Sequence, residues 1–455
     1  MSFPQSFIKT LSAQLGSEYD AFEAALQQAA PVSIRHNSAK VAASPFEDPI
    51  RWCKEGQYLQ NRPVFTLDPL FHAGAYYVQE ASSMLIGHAL AQVADLTQPL
   101  RVLDLCAAPG GKTTLLASLL HPDSLLLANE VIKSRVSILK ENIQKWGLPQ
   151  VHVSNHDPQS LDGLDDFFDI IVIDAPCSGE GLFRKDPAAI NEWSPDSVQM
   201  CAGRQKRILS AALPLLKSGG ILVYCTCTYN DTENQENAQF VIETGEFEEL
   251  KITLPTEWGV WAKTYGYQCY PHRVKGEGFF FSVFQKKEPV FDPETKYFAK
   301  KGRDYRFRSF KALLPRETTE VKRWLARPDD FHFFIKPNDE IIAVLDSQLE
   351  DLKIIDNILF AKGLGLEMGV FKGKDFIPSH ALALSVELAE ELPRIELSES
   401  EALQFLKKEN FSLEAPKGWL LATYQGLGLG WMKSLGNRFN NYLPKDWRIR
   451  MEIPE

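Results

Sequence analysis

The chain has 455 residues, of which 44% are hydrophobic and 24% charged, and its formal net charge is -10. This length allows roughly two to four globular domains, and the acidic balance argues against nucleic acid wrapped around the whole surface. No apolar run approaches the roughly 18 residues of a membrane span. The start, MSFPQSF, lacks the basic and apolar regions of a secretory signal. Seven scattered cysteines, an odd number, predict reduced thiols in a cytoplasmic protein.

Residues 1–75 predict a small α/β domain. Apolar residues at helical spacing predict one helix around Phe7 and a second over Tyr19–Leu26, and VSIRHN from Val32 predicts a strand. From Pro99 to about Lys287 the sequence predicts strands that alternate with helices. FDIIVID, at Phe168–Asp174, is the near-continuous apolar strand typical of a parallel sheet covered on both faces. The alternation predicts a doubly wound, Rossmann-like sheet.

EPVFDPE, from Glu288, predicts a linker, and two basic segments follow it. The first, Lys296–Arg327, holds eleven lysines and arginines against three acidic residues, a difference of +8. The second, Lys433–Arg450, holds five against Asp446, a difference of +4. Solvated helix faces are the plain alternative. Interspersed aromatic residues favour contact with RNA through charge and base stacking: Tyr297, Phe298, Tyr305, Phe307, Phe310, Trp324, Trp431, Phe439, Tyr442 and Trp447.

The stretch DLCAAPGGKT, from Asp104, ends like a phosphate-binding loop. The pattern G-x-x-x-x-G-K-T requires glycine at position 106, where this chain has Cys106, so that signature fails. What remains is a strand, a small-residue loop and a helix start, where backbone amides approach a polar ligand closely. A purely structural loop stays open as the alternative. The loop residues are Cys106, Ala107, Ala108, Pro109, Gly110, Gly111 and Lys112.

Two acids follow the next two predicted strands. Glu130 lies about 20 residues after the loop, the spacing at which a carboxylate accepts ribose hydroxyls in related folds. Asp157 follows the third strand, where its carboxylate would meet an adenine amino group. Either acid alone is more often a helix cap or a surface charge. Together with the loop, they predict an adenosyl ligand.

Thiols end two further strands, in DAPCSGEG from Asp174 and in CTC from Cys225. Because parallel strands end at one edge of a sheet, Cys177 and Cys227 should face the same crevice. The CTC stretch by itself leaves a metal site, a redox pair, a nucleophile and core packing open. Zinc is weakly supported, since no second Cys/His pair has suitable spacing, and C-x-C is not the C-x-x-C of redox motifs.

These motifs together resemble the Nop–Sun family of RNA cytosine-5 methyltransferases. CAAPGGKT, DAPCSGEG, TCT and the GEGFF that begins at Gly276 follow one another in the order and spacing of that family, from about residue 75 to residue 287. Further on, LGLGWMK and NNYLPKDWR resemble the PUA-like tail of a bacterial ribosomal RNA methyltransferase. The chain departs from the family at Cys225, where relatives often carry serine.

The resemblance implies methylation of cytidine carbon 5 in RNA, with S-adenosylmethionine as the methyl donor. Cys227 would be the nucleophile that adds to carbon 6, an instance of covalent catalysis, and Cys177 would assist product release. Asp174 and Lys112 would approach the base. The donor would lie against the segment from Cys106 to Lys112, with Glu130 on its ribose, Asp157 near its adenine and Asp174 at its methionine end; Arg135 is a further candidate for contact with donor or substrate.

The resemblance also implies a domain order. We expect an N-terminal RNA-binding α/β domain at 1–75, a methyltransferase core at 76–287, a basic α/β RNA-binding segment at 288–390 and a PUA-like RNA-binding domain at 391–455. Small-subunit ribosomal RNA is the expected substrate, with transfer RNA as the alternative. We further expect a monomer without a metal or a membrane partner. Gln79–Ser83 should support the donor pocket, and His272 should be structural.

Two other functions compete with this interpretation. A DNA cytosine methyltransferase would use Cys177 of the Pro-Cys motif as its nucleophile, but no Glu-Asn-Val element lies between the two cysteines. A non-catalytic ribosome-assembly factor would keep the fold without the chemistry. The intact donor and thiol motifs argue against it.

Overall fold

The computed structural model describes residues 3–42, 46–288 and 305–452, and four β-sheets follow one another along this part of the chain. Residues 289–304 lie outside it, and with them most of the predicted linker and the start of the first basic segment, including Tyr297 and Phe298. Within the described residues no helix is long and apolar enough to cross a membrane.

The first sheet follows two helices that confirm the predicted ones. Its elements are α1 (Gln5–Leu15), α2 (Tyr19–Leu26), β1 (Val32–His36), β2 (Gly56–Leu59), α3 (Pro69–Ala73) and β3 (Tyr76–Val78). The three strands are antiparallel in the order β2-β1-β3. The strand predicted at Val32 is therefore the centre of a small sheet.

The second sheet is the largest, with nine strands. Its region consists of α4 (Leu85–Val93), β4 (Arg101–Asp104), α5 (Gly111–Leu119), β5 (Leu125–Asn129), α6 (Lys133–Trp146), β6 (Val151–Ser154), β7 (Phe168–Asp174), α7 (Pro187–Glu192), α8 (Pro195–Ala212), β8 (Leu216–Thr226), α9 (Gln235–Glu243), β9 (Phe247–Glu249), β10 (Trp261–Ala262), β11 (Tyr267–Cys269) and β12 (Phe279–Lys286). The order is β10-β11-β12-β8-β7-β4-β5-β6, with β9 beside β12. Strands β6, β5, β4, β7 and β8 are parallel, and β12 runs antiparallel to β8.

Both faces of this sheet are covered, as the apolar run FDIIVID predicts. Along β7, Ile170 and Val172 pack into one core, while Ile171 and Ile173 pack into the core on the other face. Successive side chains of a strand point to opposite faces, so a strand buried on both faces must be apolar throughout. Strand β8 begins at Leu216 and continues through the two adjacent glycines, Gly219 and Gly220.

The third and fourth sheets follow the undescribed segment. The third comprises β13 (Lys311–Ala312), α10 (Pro315–Lys322), β14 (Phe331–Ile335), β15 (Ile341–Leu345), α11 (Leu349–Leu359), β16 (Leu366–Lys372), β17 (Asp375–Pro378) and α12 (His380–Leu384). The fourth comprises β18 (Arg394–Glu396), α13 (Glu399–Lys407), β19 (Gly418–Tyr424), β20 (Leu427–Ser434) and β21 (Phe439–Asn441). Each is ordered as in the sequence, and only β18 and β19 form a parallel pair.

The aromatic residues of the basic segments correct part of the RNA-contact prediction. Phe310, Trp324 and Trp431 are only 6%, 7% and 1% exposed, because they pack in the cores of the folded chain. Phe310 joins a core of the large sheet, and Trp324 packs edge-on against Trp431 at a centroid distance of 5.2 Å. These three rings hold the sheets together and cannot stack on a base. Tyr442, at 36% exposure, remains accessible.

A buried arginine joins the first sheet to the second. Arg35 of β1 is 0% exposed, and burial lowers the pKa of its guanidinium to about 10. Its Nε donates to Gln79 Oε1 at 2.8 Å, and its Nη2 donates to Thr114 Oγ1 of α5 at 2.6 Å. The guanidinium also lies 4.5 Å from the centroid of the Trp146 ring. Gln79, in the segment predicted to support the donor pocket, is therefore tied to the helix that begins after the small-residue loop.

We expect Arg35→Met to lower the free energy of unfolding by about 2–4 kcal/mol, since it leaves two buried polar partners without a donor. Denaturation in urea measures the change. Arg51→Met is the matched control, because Arg51 is exposed and makes one hydrogen bond of 3.4 Å to the Glu257 carbonyl oxygen. Equal losses in the two variants would contradict the account.

Candidate active site

A cavity of about 480 Å³ opens at the carboxyl ends of the parallel strands. It brings together eight of the predicted site residues: Cys106, Ala108, Glu130, Arg135, Asp157, Asp174, Cys177 and Cys227. Of the predicted loop residues, Ala107, Pro109, Gly110 and Gly111 do not line its wall. Lys112 reaches the cavity through an ion pair with Asp174.

The small-residue loop is fixed by hydrogen bonds to its neighbours. The Ala107 amide donates to the Asn129 carbonyl oxygen at 2.8 Å, and Arg135 Nη2 donates to the Ala108 carbonyl oxygen at 2.6 Å. Gly110 precedes α5 with a φ of 111°, a backbone conformation that disfavours residues with a Cβ. These hydrogen bonds and the Gly110 conformation hold the loop in one path along the cavity.

Glu130 is buried at the cavity wall, with an exposed fraction of 2%. Its Oε1 accepts a hydrogen bond from the Ile132 amide at 2.9 Å, and its Oε2 lies 3.4 Å from Arg135 Nη1. Among the described residues Oε2 has no hydrogen-bond partner. A buried acceptor that faces a cavity without a partner fits a ligand that carries hydroxyl groups.

Asp157 caps a helical turn and lies at the cavity wall. Its side chain accepts a hydrogen bond from the Gln159 amide at 3.0 Å and so caps a short helical turn. It also lines the cavity. The capping interaction holds the carboxylate in place at the cavity wall.

Lys112 and Asp174 form an ion pair of 2.7 Å at the end of β7. Burial is the largest single influence on the pKa of Lys112 and lowers it, but the charge of Asp174, the hydrogen bond to Asp174 and the neighbouring acidic groups together raise that pKa above the ordinary lysine value. Lys112 is therefore a permanent cation beside the cavity. It fixes the position of the Asp174 carboxylate, which the family resemblance assigns to both the methyl donor and the target base.

The two predicted thiols are in contact. Cys177 Sγ lies 3.2 Å from Cys227 Sγ, although the residues are fifty positions apart. The hydrogen bond to Cys227 and burial raise the pKa of the Cys177 thiol well above its ordinary value. A thiol with a raised pKa keeps its proton at neutral pH, and the protonated thiol of Cys177 is by itself a poor nucleophile.

Cys225 occupies a different environment from Cys227. It is 0% exposed, and its Sγ lies 3.5 Å from the Ile173 carbonyl oxygen and 3.7 Å from Asp174 Oδ1. Burial raises the pKa of this thiol well above its ordinary value. The sequence left its role open, and the structure shows a packed side chain. No cluster of potential metal ligands occurs among the residues that the structure describes.

A buried carboxylate that the sequence analysis did not single out joins the two thiol-bearing loops. Glu180 is 0% exposed and sits three residues after Cys177. Its Oε2 accepts hydrogen bonds from Thr228 Oγ1 at 2.7 Å and from the Tyr229 and Asn230 amides at 2.9 and 3.0 Å. These donors belong to the loop that begins with Cys227. In the sequence, Glu180 is only an acidic residue between two glycines in SGEG, which does not indicate that its carboxylate is buried.

Gly181 and Glu233 complete this connection. The Gly181 amide donates to the Cys227 carbonyl oxygen at 2.8 Å, and a Cβ at Gly181 would lie 2.2 Å from that oxygen. Glu233 Oε2 accepts from the Ser178 amide at 3.0 Å and from Gln205 Nε2 of α8 at 2.7 Å. The two loops and α8 therefore form one hydrogen-bonded unit around the thiols.

His272 and Glu80 each make a contact between distant parts of the chain. His272 Nε2 lies 2.9 Å from Glu18 Oε2, and its ring packs against Phe22, which supports the structural role expected for it. In the Gln79–Ser83 segment, Glu80 Oε1 accepts from the Glu277 amide at 2.9 Å. That contact holds the segment beside the GEGFF strand.

A parallel sheet with a small-residue loop after β4, an acid after β5 and a cavity at its carboxyl edge defines a Rossmann-like methyltransferase core. A solved structure described as a methyltransferase homolog protein from Pyrococcus horikoshii shares this fold, with a TM-score of 0.54 and 29% identity; the match covers 63% of this chain and 96% of that chain. The family profile described as "16S rRNA methyltransferase RsmB/F" matches residues 91–285.

The chain belongs to the ribosomal RNA small subunit methyltransferase F family. It is 32% identical to the protein of that name from Shewanella loihica, over 97% of this chain and 94% of the relative. It is 30% identical to that of Escherichia coli, over 98% of this chain and 96% of the relative. Residues 3–81 match the N-terminal domain of RsmF, and residues 392–449 match its PUA domain. The predicted fold class is confirmed.

Asp104 makes the stability of the site dependent on pH. Its Oδ2 accepts from Thr113 Oγ1 at 2.6 Å, and its Oδ1 has no partner among the described residues. Burial raises the pKa of this carboxyl from 3.8 to about 7. A raised pKa means that Asp104 stabilises the fold at pH values below 3.8 and that this contribution disappears as the pH rises through about 7.

We expect Asp104→Asn to remove this loss, which is on the order of 4 kcal/mol between pH 4 and pH 7. Chemical denaturation at a series of pH values measures it as the difference between variant and wild type. The exposed Asp162 supplies the control variant, Asp162→Asn, whose profile should follow that of the wild type. Parallel profiles for Asp104→Asn and the wild type would refute the assignment.

Proposed function

We propose that the protein transfers a methyl group from S-adenosylmethionine to carbon 5 of a cytidine in RNA, through a covalent adduct on Cys227. The observation that carries this proposal is the contact of 3.2 Å between two thiols on separate loops, at the edge of a cavity lined by carboxylates. A structural pair of thiols does not need a cavity. A lone nucleophile does not need a second thiol.

The chemistry explains why two thiols are useful. Carbon 5 of cytosine is a weak nucleophile, and addition of a thiolate at carbon 6 makes it enamine-like, so that one hard step becomes two easier ones. Cys227 is the residue proposed for this addition. After methyl transfer the carbon 5 proton must leave and the bond between sulfur and carbon 6 must break. Cys177, held against Cys227, is the residue proposed to assist that release.

Asp174 and Lys112 are proposed to hold the base. The carboxylate of Asp174 accepts hydrogen bonds, which suits the amino group at carbon 4 and a protonated nitrogen 3 of the ring. Lys112 holds this carboxylate in place, since their ion pair is 2.7 Å long. The target base would enter the cavity in the flipped conformation that enzymes acting on a single base require.

The cavity wall fits the proposed methyl donor. S-adenosylmethionine supplies an electrophilic methyl group on a sulfonium centre. Glu130, whose Oε2 lacks a hydrogen-bond partner among the described residues, is proposed to accept hydrogen bonds from the ribose hydroxyls, and Asp157 from the adenine amino group. The loop residues Cys106 and Ala108 would pack along the donor. Arg135 forms an ion pair with Glu130 and donates a hydrogen bond to the Ala108 carbonyl oxygen, and so orients this part of the wall.

The proposed substrate is small-subunit ribosomal RNA. Relatives that match this chain over nearly its full length are named ribosomal RNA small subunit methyltransferase F. The two basic segments and the PUA match at residues 392–449 supply surfaces for RNA beyond the cavity. Transfer RNA is the alternative substrate for the same chemistry.

RNA that contains 5-fluorocytidine tests the covalent step, because fluorine at carbon 5 cannot leave as a proton does and the adduct is trapped. We expect the wild type and Cys225→Ser to form a stable adduct, visible as a shifted band in denaturing gels and as a mass increase. Cys227→Ala should form none, since the attacking sulfur is absent. Cys177→Ala should form an adduct even with ordinary cytidine, because release is impaired.

The competing functions predict other results in the same experiment. An adduct that persists in Cys227→Ala but is lost in Cys177→Ala would identify Cys177 as the nucleophile, as in a DNA cytosine methyltransferase. Absence of any adduct in the wild type, together with absence of S-adenosylmethionine binding, would identify a non-catalytic RNA-binding protein.

Isothermal titration calorimetry tests the donor site separately. We expect Glu130→Gln to weaken S-adenosylmethionine binding by roughly 10- to 100-fold, because charge-assisted hydrogen bonds contribute about 1.5–3 kcal/mol. Glu141→Gln, on the outer part of α6, is the control and should bind as the wild type does. Unchanged binding by Glu130→Gln would exclude this carboxylate from the donor site.

A further inference from the structure

Two arginines of α8 line the cavity without a partner. Arg204 and Arg207 are exposed residues of its wall, and neither makes a hydrogen bond or an ion pair with any residue that the structure describes. Residues three positions apart lie on the same side of a helix. The opposite side of α8 is buried, so this side is presented to the cavity as a pair of free guanidinium groups.

Of the other charged residues of the cavity wall, Asp157 accepts a hydrogen bond from the Gln159 amide, and the remaining three are in ion pairs. Arg135 lies against Glu130, and Asp174 lies against Lys112. Arg204 and Arg207 are therefore the cations of this wall that are free within the described chain.

Gln205 fixes this positive side relative to the thiols. Its Nε2 donates to the Pro176 carbonyl oxygen at 3.0 Å and to Glu233 Oε2 at 2.7 Å. Pro176 precedes Cys177, and Glu233 accepts from the Ser178 amide. The residue between the two arginines thus ties α8 to the loop that carries Cys177. The segment of α8 that carries the two arginines is therefore fixed relative to the loop that carries Cys177.

We propose that Arg204 and Arg207 form a phosphate subsite that binds the RNA backbone next to the flipped cytidine. This inference rests on the proposed function, since it assumes that RNA is the ligand of the open side of the cavity. Arginine is suited to the role because its planar fork donates two hydrogen bonds to one phosphate. A nucleotide whose base lies at Cys227 carries its phosphates on the ribose outside the base pocket, where α8 forms the wall.

Equilibrium binding of a fluorescein-labelled, single-stranded RNA with one central cytidine tests the subsite in the full-length protein. We expect the double variant Arg204→Gln, Arg207→Gln to bind this RNA roughly tenfold or more weakly, with the slope of log affinity against log salt reduced by about 1 to 2. Lys206→Gln is the matched control. It removes one positive charge from the same helix at a residue that does not line the cavity, and its affinity should stay near that of the wild type.

A second RNA identifies the phosphate. It carries a neutral methylphosphonate in place of the phosphate 5′ or 3′ to the cytidine. The wild type should lose affinity for one of these two probes, while the double variant should bind that probe and the unmodified RNA equally. Such non-additivity is expected only when the removed charge and the removed side chains contact each other.

Three results would overturn the subsite. The first is a double variant that matches Lys206→Gln in RNA affinity and in salt slope. The second is a double variant that loses affinity for S-adenosylmethionine in calorimetry but keeps its affinity for RNA. The third is a double variant whose RNA affinity is weakened by both methylphosphonates as much as that of the wild type. Binding does not require methyl transfer. A protein that binds through these arginines but forms no adduct with 5-fluorocytidine RNA would therefore contradict the proposed function alone.

Discussion

The carboxylate of Glu180 is the interaction on which the geometry of the site depends. It belongs to the loop after β7 and accepts three hydrogen bonds from the loop after β8. Burial raises the pKa of this carboxyl, so the charged form is costly unless its donors are in place. Gly181 adds a steric condition, because a Cβ there would collide with the Cys227 carbonyl oxygen. Together these two residues fix the loop that carries Cys177 against the loop that carries Cys227.

The same unit links chemistry to substrate recognition. Through Glu233 and Gln205 the thiol-bearing loops are bonded to α8, and α8 carries Arg204 and Arg207 at the open side of the cavity. On the other side, Arg135 connects Glu130 to the small-residue loop. The proposed sulfonium donor would be held by the carboxylates of this cavity, and the proposed RNA backbone by its free arginines. Both ligands would then lie in the cavity that the two thiols line.

Much of this could be predicted from the sequence, because the signals are local. The spacing of apolar residues predicts α2 at Tyr19–Leu26, and the apolar run FDIIVID predicts β7 at Phe168–Asp174, as the structure has them. The rule that parallel strands end at one edge brought Cys177 and Cys227 together before any coordinates. Other features depend on contacts between distant residues. Glu180 gave no sign of its partners fifty positions away, and Trp324 and Trp431, expected at an RNA surface, are buried against each other. An aromatic residue in a basic segment has the same local pattern whether it packs inward or outward.

Bisulfite sequencing of ribosomal and transfer RNA from a deletion strain, complemented in turn by the wild type and by Cys227→Ala, tests the central claim most directly. The account predicts that one cytosine of the small-subunit ribosomal RNA loses its resistance to conversion in the deletion strain. It further predicts that the wild-type gene restores this resistance and the Cys227→Ala gene does not. An unchanged pattern in the small-subunit RNA, or resistance restored by Cys227→Ala, would contradict it.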